Sequence, residues 1–459
     1  MTQDTAPALA SVPHRIENPE LIPAQRYYDP HFFELEKEHL WPHVWQMACR
    51  LEEIPNTGDY VEYTILDKSV IIVNTKAGVK AFHNACRHRG VKLVESPGNC
   101  GKKGFICPFH GWRWDEHGEC TFVFGKEIFN PDLLDQDEIG LAPCRVETWA
   151  GCAFINFDDD ASSLLESLGP VAETLNARNV DKLKMEWWYG TILPVNWKLA
   201  MEAFMEGYHV MRTHPQLHDL APMSAYGQDV GSMPKRNLDS KQMVATMADF
   251  YARLSSGMAG MVHETEVAVM DKLRDMDVPE DPMAALGAFI AKAQEEITRD
   301  GLARGAPMFD IPSVNKSHPF HDVEFMFPHF FLLPSFAAMS SYRIRPISPE
   351  SCKFEIWSLV LRPEGEEYDT PKAPTMLDYD SKEFPEIPMQ DYSNLPRQQE
   401  GLHAGGFDYM RLSREQEGMI SNYQRLIDGY IAGLNTETLT KAQNVVNSGY
   451  NAPVLDIGF

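Results

Sequence analysis

The residues best equipped for chemistry lie between 196 and 214, in Asn196-Trp197-Lys198-Leu199-Ala200-Met201-Glu202-Ala203-Phe204-Met205-Glu206-Gly207-Tyr208-His209-Val210-Met211-Arg212-Thr213-His214. Two imidazoles, His209 and His214, stand five positions apart, and Glu206 precedes the first by three. Lys198 to Met205 is built of good helix formers. On a helix, positions i and i+3 share a face, so Glu206 and His209 can point at one place. His214 then arrives from just past the helix end. Two imidazoles and a carboxylate with positions left open form the ligand set of a non-haem Fe(II) oxygenase. The plainer alternative is a core helix carrying two hydrogen-bonded histidines.

A second constellation lies upstream. Cys86-Arg87-His88 is followed by Cys107-Pro108-Phe109-His110, with eighteen residues, 89–106, between the halves. Each half offers one thiolate and one imidazole from a short loop. Such a Cys2His2 set can hold structural zinc, or a [2Fe–2S] cluster in which two histidines replace two cysteines on one iron. A zinc finger usually pairs Cys with Cys and His with His and then enters a helix. Here Cys and His alternate in a strand-like setting. Gly90 and Gly111 flank the two loops and let backbone amides approach the cluster sulfurs, which tunes the potential.

The elements that must position these groups fall into two regimes. From Val44 to about Phe157 the chain reads as short strands separated by turns. Tyr60 to Ile65 alternates, Ser69 to Val73 is a short apolar run, and Phe105-Ile106, Thr121 to Phe124 and Cys152 to Phe157 are further strands. Before them, Asp29 and Pro30 read as N-cap and first residue of a helix from His31 to Trp41. Beyond Asp158 the pattern is mixed. Helices are predicted at Ala161 to Leu175, Asp239 to Leu254 and Ala284 to Thr298. A strand is predicted from Met185 to Pro194, and a hairpin turns at Pro349-Glu350-Ser351 between Ser340–Arg345 and Phe354–Leu361. The acidic, proline-rich stretch 363–390 reads as a loop. Leu412 to Leu434 reads as a closing helix with Ser413 as N-cap. Between Gly227 and Asp310 methionine recurs, from Met233 and Met243 to Met276 and Met283. It reads as adaptable core filling or as a pliable lid over an apolar pocket.

With 459 residues the chain exceeds the size at which one core stops growing, which favours two domains. Its net charge of −25 argues against nucleic acid and anionic membrane surfaces as partners. No apolar run approaches the roughly 20 residues needed to span a bilayer. Residues 1–13 lack the pattern of a signal peptide and read as a frayed lead, so the cytoplasm is the expected compartment. Seven of the eight cysteines precede residue 153, a clustering that points to a metal site more than to disulfides.

Cys86-Arg87-His88-Arg89-Gly90 with Cys107-Pro108-Phe109-His110-Gly111-Trp112 resembles the Rieske motif of the ring-hydroxylating, Rieske-type non-haem iron oxygenases, with a slightly long gap. Trp41-Pro42-His43-Val44-Trp45, Glu53-Ile54-Pro55, Gly58-Asp59-Tyr60 and Asn196-Trp197-Lys198 are similar to the same family, from about Pro30 to His218. The resemblance implies an α+β fold: a small all-β Rieske domain over residues 44–159, and a catalytic domain of 1–43 and 160–459. The latter would hold a curved antiparallel sheet surrounded by helices, of helix-grip type, with a helical insertion over about 227–310. It implies Cys86, His88, Cys107 and His110 on [2Fe–2S], and His209, His214 and Asp391 on a mononuclear Fe(II). Gln390-Asp391-Tyr392-Ser393-Asn394 resembles the segment around the family's third ligand. Glu206 then moves off the iron and bridges His209 to His110 of the partner subunit. The family usually has Asp there, so Glu206 is a departure. Glu202 and Asn196 fall behind the ligands. The implied protein is the terminal oxygenase of a multicomponent system. It draws electrons from NAD(P)H through a ferredoxin or flavin reductase, as a homotrimer or with a small beta subunit. It would hydroxylate, dihydroxylate or dealkylate an apolar, aromatic substrate.

Two other classes remain. Glu206-Gly207-Tyr208-His209 and Glu400-Gly401-Leu402-His403 are both Glu-x-x-His elements, as a carboxylate-bridged di-iron enzyme requires. The chain can also be a Rieske-type electron carrier or a zinc-stabilised binding module, without catalysis.

Overall fold

The computed structural model describes residues 5–217, 238–258 and 260–459. The chain divides into two compact units, one of Trp41–Leu164 and one of the stretch ending at Leu40 together with Leu165–Phe459.

The Trp41–Leu164 unit is built on strands. A seven-stranded sheet runs in the order Gln46–Arg50, Cys152–Asn156, Pro143–Trp149, Gly78–His83, Lys68–Thr75, Asp59–Ile65, Gly98–Asn99. The alternation read at Tyr60 to Ile65 is the burial pattern found: Val61, Tyr63 and Ile65 are buried and the residues between them are not. A separate three-stranded sheet, Phe105–Ile106, Arg113–Trp114 and Cys120–Phe122, carries the second Cys/His loop. One apolar cluster contains Ile71, Val73 and Phe82 of the large sheet and Phe105 and Trp114 of the small one. Trp114 Nε1 donates to Ile139 O at 2.8 Å. The strands Gly78–His83 and Pro143–Trp149 were not among those expected from the sequence.

The other unit centres on a six-stranded sheet in the order Glu324–Met326, Phe330–Pro334, Met339–Ser348, Ser351–Leu361, Leu183–Leu193, Thr375–Met376. All pairs are antiparallel except the last. This is the curved antiparallel sheet with flanking helices of the expected α+β class. The hairpin forms where predicted, and Ser348 and Ser351 face each other across its turn. The buried face of the sheet is aromatic. Phe331 and Tyr342 stack with centroids 4.8 Å apart, and Phe354 lies 6.0 Å from Tyr342. Long helices at Ser240–Gly257 and Pro282–Ala303, capped by Asp239 and Asp281, pack on one another.

Several expectations are corrected. The lead is not frayed from residue 5 on: Thr5–Ala10 is a short helix, and Leu9 and Val12 are buried. The helix opening at Pro30 is capped by Asp29 as read, but gives way to a π-turn at Glu36–Leu40. The helix read over Ala161 to Leu175 is two, Leu164–Leu168 and Pro170–Asn176, because Gly169 sits at φ +61° between them. The closing helix starts at Gly418, not at Ser413, whose N–H donates to the Glu417 carboxylate. A further helix, Thr436–Asn447, follows it. Residues 227–237 of the methionine-rich segment, Met233 included, lie outside the described residues, as does His218. Among the described methionines, Met247 and Met270 are buried and Met283 is exposed.

Candidate metal centres

His209 and His214 come from a helix that breaks. The sequence predicts helix up to His209, but the structure has one from Trp197 to Glu202 and another from Val210 to Thr213. The first helix is capped at Ala203, and within the turn that follows Gly207 N–H donates to Asn451 Oδ1 at 3.2 Å. Glu206 then works across the break. Its Oε2 accepts from His209 N–H and its Oε1 lies 2.9 Å from His209 Nδ1. The shared face expected of i and i+3 is thus made by a turn.

The broken segment is pinned to the sheet. Phe204 packs on Phe331 at 4.7 Å and on Tyr342 at 5.1 Å. Upstream, Trp197 Nε1 donates to Glu36 Oε2 at 3.0 Å, and Lys198 Nζ pairs with Glu36 Oε1 at 2.6 Å, both side chains fully buried. Asp391 reaches the same place from the helix Glu386–Leu402. Its neighbour Tyr392 is packed 5.2 Å from Phe354 and 5.2 Å from Phe384. One aromatic layer therefore fixes both halves of the site.

His209, His214 and Asp391 each offer one ligand atom, all within 4.8 Å of one another. His214 Nε2 is 3.1 Å and His209 Nε2 is 3.7 Å from Asp391 Oδ1. Metal bonds of about 2.1 Å at right angles put ligand atoms roughly 3 Å apart, so the donor set fits one transition-metal ion. Both rings are held by their far nitrogens, His209 Nδ1 by Glu206 and His214 Nδ1 by Gln390 Oε1 at 2.6 Å. An acceptor at Nδ1 keeps the proton there and leaves Nε2 with a free lone pair. Gln390 was quoted in the sequence only as a flank of Asp391; an amide carries no type signal for this task. Burial disfavours the charged form of His209, but its bond to Glu206 and the charges of Glu206 and Asp391 raise its pKa overall.

Two cavities border the centre. One, of about 570 Å³, is lined by His209, His214 and Asp391 together with Met247, Met258 and Phe336. The other, of about 440 Å³, shares Glu206, His209 and Asp391 and extends to Glu202. Glu202 accepts from Tyr27 Oη at 2.9 Å and from Gln424 Nε2 at 2.5 Å rather than from a ligand histidine. Burial pushes its carboxyl up to about 7 against those two bonds. Asn196 is a helix cap: Oδ1 accepts from Lys198 N–H at 3.0 Å, and Nδ2 donates to Pro349 O at 2.6 Å. Glu400 is exposed and His403 pairs with Glu350 at 2.7 Å, so the second Glu-x-x-His element does not join the first.

In the strand-built unit the two Cys/His loops share one design. Cys86 N–H donates to Val91 O and Gly90 N–H to Cys86 O; Cys107 N–H donates to Trp112 O and Gly111 N–H to Cys107 O. Gly90 and Gly111 hold φ +75° and +72°, the left-handed conformation that closes each loop. Backbone amides of His88 and Arg89 point at the Cys86 thiol, which burial otherwise pushes up. The Cys107 thiol lies close enough to Cys86 to raise its charge cost, and the His88 and His110 rings stand 4.7 Å apart. Among the described residues, three or more ligand atoms close round a single point only at His209, His214 and Asp391. The four upstream residues instead pair thiol with thiol and ring with ring, which suits a two-metal cluster better than one tetrahedral zinc. His88 Nδ1 is buried with no hydrogen-bond partner, an orphan that a metal bond would satisfy. Trp112 stacks on the His88 ring at 5.0 Å and holds its plane.

Comparison with known proteins agrees with both centres. Residues 175–433 match the family model for the ring hydroxylating alpha subunit (catalytic domain), and residues 44–125 match the Rieske [2Fe-2S] domain. The 2-aminobenzenesulfonate 2,3-dioxygenase subunit alpha of Alcaligenes sp is 34% identical over 201 residues, 43% of this chain and 50% of that protein. The carnitine monooxygenase oxygenase subunit of Escherichia coli (strain K12) is 34% identical over 208 residues, 45% of this chain and 55% of that one. The match therefore spans about half the length of these curated relatives. A solved naphthalene 1,2-dioxygenase with indole bound in its active site superposes with a TM-score of 0.62 at 19% identity, covering 93% of this chain and 94% of that one.

Proposed function

The chain belongs to the ring-hydroxylating alpha subunits of the Rieske oxygenases, and from that premise we propose that it is the terminal oxygenase of a multicomponent system acting on an apolar, aromatic substrate. The observation that carries this is the convergence of His209, His214 and Asp391 within 4.8 Å at the wall of a 570 Å³ cavity lined largely by apolar side chains. In this reading Cys86, Cys107, His88 and His110 hold [2Fe–2S], and His209, His214 and Asp391 hold Fe(II). Bound there, the two groups would supply one-electron transfer and O2 activation, respectively.

The chain's own residues do the rest. Glu206 and Gln390 orient the two imidazoles through Nδ1. Glu206 also borders the 440 Å³ cavity. From there it reaches the partner subunit's His110 and couples the two centres. The assembly is then a homotrimer, alone or with a small beta subunit, fed by a ferredoxin or a flavin reductase that draws on NAD(P)H. The methionines and rings of the larger cavity exclude water and orient an apolar body. Hydroxylation, dihydroxylation and oxidative dealkylation all fit this arrangement. The two relatives differ on this point, one being named for an aromatic sulfonate and the other for carnitine. No helix among the described residues is long and apolar enough to cross a membrane.

The test is product analysis. Purified chain with a reductase system, a panel of aromatic and N- or O-alkyl compounds and 18O2 should give labelled product with substrate-dependent oxygen uptake. Reductant oxidation with no oxygen in any product would support a plain electron carrier instead.

A further inference from the structure

On the wall of the 570 Å³ cavity, one amide has its direction fixed from behind. Asn315, half-buried on the short helix Ile311–Ser317, lines the cavity. Its Oδ1 accepts from Arg178 Nη2 at 2.6 Å. A guanidinium has donors and no acceptor, so only the carbonyl end of the amide can face it. Asn315 Nδ2 is thereby turned away from Arg178, and it makes no hydrogen bond among the described residues. Arg178 is fully buried, donates also to His318 O at 3.3 Å, and lies 4.0 Å over the ring of Phe320, which lines the cavity. It forms no ion pair among the described residues, and its Nε and Nη1 are buried there without a partner. Burial lowers its pKa, against the pull of Glu324, only to about 10, so the guanidinium keeps its charge at neutral pH.

A charged donor on the carbonyl polarises the amide and strengthens its N–H groups as donors. A free asparagine could offer the cavity either a carbonyl or an amino group; tied to Arg178, Asn315 offers N–H alone. A hydrocarbon surface pressed against it would leave that donor unpaired, at a cost, whereas an oxygen acceptor would satisfy it. The amide is neutral, and the carboxylates of Glu206 and Asp322 already line the wall. The acceptor that fits is therefore an uncharged carbonyl or ether oxygen rather than another anion. We propose that Asn315 is a specificity-determining residue, which donates to a neutral oxygen acceptor on the substrate's apolar body, and that Arg178 is the positioning residue that keeps its N–H groups turned to that task. The proposal rests on the reading of this cavity as the substrate site.

Binding to the full chain, followed by calorimetry, tests it with two probes of equal shape. These are acetophenone and α-methylstyrene, in which a methylene group replaces the carbonyl oxygen. The readout is the ratio of their affinities, which cancels changes in general packing. Asn315→Leu and Asn315→Asp should each weaken acetophenone relative to α-methylstyrene by on the order of tenfold. The aspartate keeps the size and the bond to Arg178 but has no N–H to give, so a loss there is not a loss of fold. Arg178→Gln, whose amide can accept as well as donate, frees Asn315 to turn over and should lower the ratio by about threefold. A ratio equal to native in both Asn315 variants would overturn the proposal, and a native ratio in folded Arg178→Gln would overturn the positioning role. Iron content of the same preparation separates the two readings. If both probes bind to iron-loaded chain with a ratio that ignores Asn315, only the role of Asn315 falls. If neither binds to iron-loaded chain, the cavity is not the substrate site and the proposal falls with that reading.

Discussion

Replacing Gln390 with Leu tests the positioning of His214 without touching a ligand. Gln390 Oε1 lies 2.6 Å from His214 Nδ1, and the His214 side chain is only 1% exposed. With the acceptor gone, the Nδ1 proton is buried and unpaired, at a cost of about 1–3 kcal/mol. The ring can avoid that cost by moving its proton to Nε2, which removes the lone pair aimed at the metal. Either way Fe(II) affinity should fall by about 10- to 100-fold, the usual effect of losing such a supporting partner. Gln390→Glu keeps an acceptor and should keep affinity within a few-fold of native. The assay is competition for Fe(II) with a chelator of known strength, with the cluster's visible absorbance as internal reference. An iron affinity in Gln390→Leu equal to native would refute the account of how His214 is held.

Three further outcomes follow from the same geometry. Glu206→Ala, supplied with excess iron, should fill both centres yet lose nearly all turnover, as read by oxygen uptake with the reductase; loss of the mononuclear iron even in excess metal would make Glu206 itself a ligand. His209→Ala, His214→Ala and Asp391→Ala should each empty the mononuclear site by metal analysis and leave the cluster's absorption unchanged. Glu202 is raised by burial to about 7 from its ordinary 4.5, so its contribution to stability is fully present below pH 4.5 and is lost as pH rises through 7. That loss is on the order of 3 kcal/mol, and urea unfolding from pH 5 to 8 should show it in the native chain and a flatter profile in Glu202→Gln.

What the sequence made legible was what is local. The two Cys/His loops are short motifs whose ligands and glycines sit within five residues of each other, and both close as loops with Gly90 and Gly111 left-handed. Asp29 announced the helix it caps. What was hidden depended on distant partners. The turn before His209 is tied at Gly207 to Asn451, 244 residues away. Gln390 supports His214 across 176 residues, and neither residue type nor spacing hints at it. Asp391 came from resemblance to the family rather than from any pattern in the chain. Asn196 was placed behind the ligands by the resemblance, and its side chain caps the helix Trp197–Glu202.

If both metal centres form in one chain, quantitative iron, zinc and acid-labile sulfide analysis of the purified protein should give about three irons and two sulfides per chain, in a coloured protein whose reduced spectrum is that of a histidine-ligated cluster. A colourless protein carrying stoichiometric zinc and no sulfide would rule out both centres.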